Sequence, residues 1–149
     1  MKVTLNETLD AALKFGGPEF YKSRVPSYIY TNLRNGFGQR PYQQEAFGRF
    51  VFYMNEYHER PKGVPTQLLY HMATGSGKTL IMAGLIIHLY EKGYRNFIFF
   101  VNSSNIIDKT RDNFFNTRSS KYLFSDTIAI SDKLIRIKEV DNFQAANQE

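Results

Sequence analysis

One seven-residue stretch constrains this chain more than any other feature: Ala73-Thr74-Gly75-Ser76-Gly77-Lys78-Thr79. A short apolar run, Gln67-Leu68-Leu69-Tyr70-His71-Met72, leads into it and predicts a strand. A helix is expected from Lys78 to Lys92, with Met82, Leu85, Ile86 and Leu89 along one face and Gly93 as its stop. The five fixed letters of Thr74-Gly75-x-Gly77-Lys78-Thr79 would arise by chance in a chain of this length with probability on the order of 10⁻⁴, taking about 6% per residue type. Each letter has a reason. Gly75 and Gly77 let the backbone turn its N–H groups inward, with no Cβ to obstruct a phosphate oxygen. The helix that begins at Lys78 aims its positive dipole end at the same place. Ser76 lies within this cradle, Lys78 is placed to reach the outer phosphates, and the Thr79 hydroxyl to ligate Mg²⁺.

Downstream, Phe97-Ile98-Phe99-Phe100-Val101 predicts a buried strand, followed by a helix from Asn105 to Phe115. Strand, glycine loop, helix, strand is a βαβ unit, so the expected fold class is α/β, a parallel sheet covered by helices on both faces. Upstream, Arg40 to Glu59 reads as a helix with Pro41 at its first position and Tyr42, Ala46, Phe47, Phe50, Val51 and Met54 on its apolar side. Asn6 is the expected cap of a short helix through Lys14, stopped by Gly16-Gly17-Pro18. Asn35-Gly36-Phe37-Gly38 predicts a loop, whereas Tyr21 to Leu33 is ambiguous. Beyond Asn116 the pattern weakens: Leu123-Phe124, Ile128-Ala129-Ile130 and Leu134 to Val140 are strand candidates, and 142–149 ends without a closing element, as a chain cut off in mid-sequence would.

Composition narrows the function classes. The 149 residues contain no cysteine, which excludes a disulfide framework, a thiolate zinc site and a cysteine nucleophile. The longest apolar run, Leu80 to Ile87, is well short of the ~20 residues of a membrane helix, and the N-terminus has no signal-peptide core. The expectation is a soluble, cytoplasmic chain. A formal net charge of +5, spread without blocks, permits phosphate contacts with nucleic acid but does not require them.

The general phosphate-loop pattern carries an earlier glycine, and Met72 stands in its place here. In this form the loop resembles that of superfamily-two helicases and DNA translocases. Arg40-Pro41-Tyr42-Gln43, about 30 residues upstream, resembles their adenine-gripping glutamine motif. Asn102-Ser103-Ser104 falls where that family has its first DNA-backbone motif, although Asn102 replaces a common proline. The stretch is most similar to the start of the helicase part of type III restriction enzymes. The resemblance implies a three-layer RecA-like fold: 1–37 as a lead-in with a short helix, and 38–149 as an incomplete first motor lobe.

It also implies ATP and Mg²⁺ as cofactors and duplex DNA backbone as a partner, met by Asn102, Ser103 and Ser104. A modification methyltransferase subunit follows as a second partner, and endonuclease activity belongs to the whole protein. For the adenine role, Gln43 offers both a donor and an acceptor, matching N6–H and N7 of the base. Arg40 is close enough in sequence to stack on it or bond to it.

An ATPase of this type also needs an acidic motif, and no Asp-Glu pair occurs in the sequence. Asp126 and Asp132 are its nearest imitations. The 149 residues alone are therefore expected to bind nucleotide with turnover near background. Two other readings remain open at this stage: a non-catalytic nucleotide-binding module or remnant, and a P-loop kinase-like phosphoryl-transfer protein.

Overall fold

The computed structural model describes residues 3–140. Helix α1 (Leu5–Gly16) opens with a reciprocal cap: Thr4 Oγ1 accepts from the Glu7 amide at 3.3 Å, and Glu7 Oε2 accepts from the Thr4 amide at 2.8 Å. Thr4, and not Asn6, is thus the cap; Asn6 lies in the first turn and donates to Asp10. The ambiguous segment resolves into a 3₁₀ turn (Lys22–Arg24) and a short helix α2 (Ser27–Asn32). Helix α3 (Pro41–Asn55) starts on proline as expected. It ends four residues early, because the amides of Glu56 and Tyr57 both turn back to the Phe52 carbonyl.

Helices α4 (Lys78–Glu91) and α5 (Ser104–Phe114) lie close to their expected bounds. The face of α4 differs from expectation. Leu80, Ile81, Ala83, Gly84, Ile87 and His88 are buried, while Met82, Leu85, Ile86 and Leu89 are only half-buried. A helix that is apolar on every side carries no periodic signal to choose its inner face. No helix among the described residues is long and apolar enough to cross a membrane.

The core gathers Ile29 and Leu33 from the lead-in, Phe47 from α3, Ile81, Ala83 and Ile87 from α4, and Phe114, Phe124 and Ile128 beyond. Gly84 lets α3 and α4 approach closely, since a Cβ there would collide with the Phe47 ring.

The expected parallel sheet is not formed among the described residues. The sheet present is a hairpin of β1 (Ile128–Ile130) and β2 (Lys133–Ile135), antiparallel, with Ala129 opposite Leu134. Its turn places Ser131 and Asp132 at φ of 49° and 62°, the double left-handed geometry of a tight hairpin. Asp132 is therefore a turn residue, and Asp126 precedes β1. Of the candidate strand Leu134 to Val140 only the first two residues join the ladder, and Phe124 forms a single bridge with Leu33.

Residues 67–72 and 97–101 are extended but unpaired. A strand satisfies its N–H and C=O groups only through a neighbour, and none of the described elements lies alongside either segment. Phe97, Ile98, Phe99 and Phe100 are exposed in consequence. The tail 142–149 lies outside the described residues.

Candidate nucleotide site

The glycine loop is built by its two left-handed residues, Gly75 at φ 78° and Gly77 at φ 92°. Between them Ser76 folds back, its amide and hydroxyl both donating to the Ala73 carbonyl, at 3.3 and 2.7 Å. Gly77 caps α4 with no side-chain bond, and its carbonyl accepts the first helical hydrogen bond from Ile81 at 2.9 Å. The first amides of α4 thus remain available to an anion. Lys78 is exposed, and its Nζ donates to the carbonyls of Met72 at 3.0 Å and Ala73 at 2.9 Å. Both are neutral acceptors that a phosphate oxygen would outcompete, because charge-assisted bonds are about twice as strong. Thr79 follows, half-buried, at the second position of the helix.

Gln43 reaches this loop from 33 residues upstream. It is buried in the first turn of α3, and its Nε2 donates to the Ser76 carbonyl at 3.2 Å. The approach leaves no space for a side chain on the loop: a Cβ at Gly77 would lie 2.8 Å from Gln43 Nε2. The structure thus joins the two sequence motifs that lie furthest apart. Gln44, one residue on, makes no such contact among the described residues. Arg40 caps α3, its carbonyl accepting from the amides of Gln43 and Gln44, while its guanidinium reaches into solvent and donates to the Tyr42 hydroxyl at 3.2 Å.

Asn102, Ser103 and Ser104 form the entry to α5, which packs against α4. Ser103 is the cap by backbone geometry, but its hydroxyl bonds no helix amide, and Asn102 and Ser104 are exposed. All three present free polar groups beside a helix N-terminus.

The Mg²⁺ donor set is partial. The Thr79 hydroxyl is a hard oxygen ligand of the type this ion takes, and no cluster of three His, Asp or Glu side chains suited to a metal occurs among the described residues.

Three features that hold the site were invisible in the sequence. Arg49 on α3 pairs with Glu45 at 2.8 Å and with Asp10 of α1, tying the lead-in helix to the helix that carries Gln43. His88 anchors the far end of α4: its Nδ1 meets the Tyr28 hydroxyl at 2.8 Å, the two rings stack at 12°, and its Nε2 has no partner. Burial chiefly, then Lys92, holds this imidazole below its ordinary pKa, with Glu91 acting in the opposite sense. Burial likewise pushes Tyr28 up to about 12. Asn32 uses its side-chain amide as a strand edge, accepting from the Ala129 amide at 2.7 Å and donating to the Ala129 carbonyl at 2.9 Å. None has a local signal, since each partner stands far off in sequence.

Comparison with known proteins adds a family. Residues 37–148 match the model of the type III restriction enzyme res subunit. The chain is 41% identical over 123 residues to the probable type III restriction-modification enzyme HindVIP Res subunit of Haemophilus influenzae, a match covering 80% of this chain and 24% of that protein. It thus spans about a quarter of the length of this relative. No solved structure matches.

Proposed function

Because the chain belongs to the family of type III restriction enzyme res subunits, we propose that it is part of an ATP-dependent DNA translocase in which residues 74–79 bind the nucleotide phosphates. The family is one of helicases with a RecA-like fold. Residues 38–149 are then a portion of the first motor lobe and 1–37 its lead-in, with 67–72 and 97–101 supplying two of the sheet's strands.

In this reading ATP enters with its phosphates over Gly75, Ser76 and Gly77. Lys78 leaves the carbonyls of Met72 and Ala73 for the β- and γ-phosphates. Thr79 holds Mg²⁺, which supplies charge neutralisation between the phosphate oxygens. Gln43 reads the adenine edge and Arg40 flanks the base. Asn102, Ser103 and Ser104 meet the duplex DNA backbone through hydroxyls, amide and helix dipole. The intact subunit carries further catalytic parts, including an endonuclease, and works in the cytoplasm with a modification methyltransferase subunit. The 149 residues alone hydrolyse ATP at a rate near background, since the acidic motif is absent from them.

The observation that carries this reading is the bond from Gln43 to Ser76, which sets a base-reading amide against a phosphate-binding loop. Titration with ATP and GTP tests it. The parent should prefer ATP, and Gln43→Ala should reduce that preference about tenfold or more, the discrimination expected of one bidentate base contact. An unchanged preference in Gln43→Ala would instead favour a phosphate-binding protein of another kind, such as a kinase-like one.

A further inference from the structure

The unpaired segment 67–72 forms one side of an open trough of about 900 Å³. Leu5 and Leu9 of α1 and Ala46, Phe50 and Tyr53 of α3 form the opposite side, and Thr74 to Ser76 close one end. Leu68, Tyr70 and Met72 turn half-buried toward the core, while Leu69 is 94% exposed. Among the described residues no backbone hydrogen bond joins 67–72 to another segment. The charged side chains in the wall, Arg49 and Glu45, are paired with each other. The trough therefore offers an apolar lining and a row of unmet amides and carbonyls, without a net charge to attract an ionic ligand.

We propose that this trough receives a β-strand, which pairs with the backbone of 67–72, and that the strand comes from the part of the Res polypeptide outside the stretch corresponding to this chain. Three observations select that occupant. An extended edge with open hydrogen-bonding groups is completed by another extended segment. The neutral apolar walls suit a core strand and give no grip to a charged peptide. In the Haemophilus influenzae relative about three quarters of the polypeptide lies outside the matched region, so strands are at hand in the same molecule. The lead-in helix α1, held by the Arg49–Asp10 pair, is the outer wall of the receiving groove. The proposal rests on family membership and not on nucleotide binding.

Hydrogen exchange without nucleotide tests it in two proteins. One is this chain; the other is the Haemophilus influenzae Res subunit with this chain grafted in place of its matched stretch. Amides of 67–72 should exchange freely in the isolated chain and at least a hundredfold more slowly in the graft, whereas those of α4 are protected in both. Equal, rapid exchange at 67–72 in a graft whose α4 is protected would overturn the proposal. Protection in the isolated chain that rises with its concentration would also overturn it, by making a second copy the occupant. Because the chain has no cysteine, Leu69→Cys gives an independent readout: its maleimide labelling should slow at least tenfold in a cysteine-free graft, while Phe15→Cys on α1, at a side chain 98% exposed, labels equally in both. Equal labelling of Leu69→Cys in the two proteins counts against the proposal.

Discussion

Asn32 does with one side chain what a strand does with its backbone. Its amide is buried and bonds both polar groups of Ala129, 97 residues away, and donates to the Tyr28 carbonyl at 2.8 Å. Replacing it with leucine removes these bonds and leaves buried groups on both sides unsatisfied. Asn32→Leu should therefore cost roughly 2–4 kcal/mol, more than an ordinary core substitution of similar size; a lower denaturation midpoint at unchanged slope is the signature. His88 is the second sensitive position. Its imidazole is held neutral by burial, so the unfolded chain binds a proton that the folded one resists. The resulting stability is fully present above pH 6.5, the group's ordinary value, and falls as the pH drops below it. Tyr28 faces the ring, with Lys92 and Glu91 nearby, and none of these changes charge in that window. Denaturation midpoints measured between pH 7.5 and 5 should fall for the parent and be flatter in His88→Leu. An identical slope in both would show that the loss arises elsewhere.

At the scale of elements, the helices follow from local sequence and the strands do not. The loop, its two glycines and the start of α4 were legible because the signals act within a few residues. The starts of α3 and α5 were legible for the same reason. The inner face of α4 was not, since every side of that helix is apolar. Nor was the state of 67–72 and 97–101: β-prone residues predict a strand, but only a partner makes one. The hairpin β1–β2 forms because its partner follows within five residues, through a turn of two left-handed residues.

Packing between elements leaves its own mark at Gly48 of α3, where a Cβ would run into the backbone carbonyl of Tyr21. On an exposed helix, Gly→Ala gains up to about 1 kcal/mol. Here Gly48→Ala should destabilise by about 1–3 kcal/mol, because a main-chain oxygen cannot swing aside as a flexible side chain can. A stabilised Gly48→Ala variant, measured by chemical denaturation, would contradict the close contact of α3 with the 3₁₀ turn.

Over the whole molecule, the lead-in and the loop-bearing part share one core: Ile29 and Leu33 pack with Phe47, Ile81 and Phe124, and Asp10 of α1 is tied to Arg49 of α3. This arrangement holds Gln43 against Ser76 from below and leaves the loop's amides, Lys78 and Thr79 facing outward. The same architecture leaves two apolar segments uncovered, consistent with a chain whose relative is about four times as long. The phosphate-binding loop is the centre of the account. Its most direct test is calorimetric titration of the parent and of Lys78→Ala with ATP and Mg²⁺. Saturable binding by the parent, weakened at least tenfold in Lys78→Ala as befits a lost charge-assisted phosphate contact, is the predicted result. No heat of binding in a folded parent, or equal affinity in the two proteins, would contradict it.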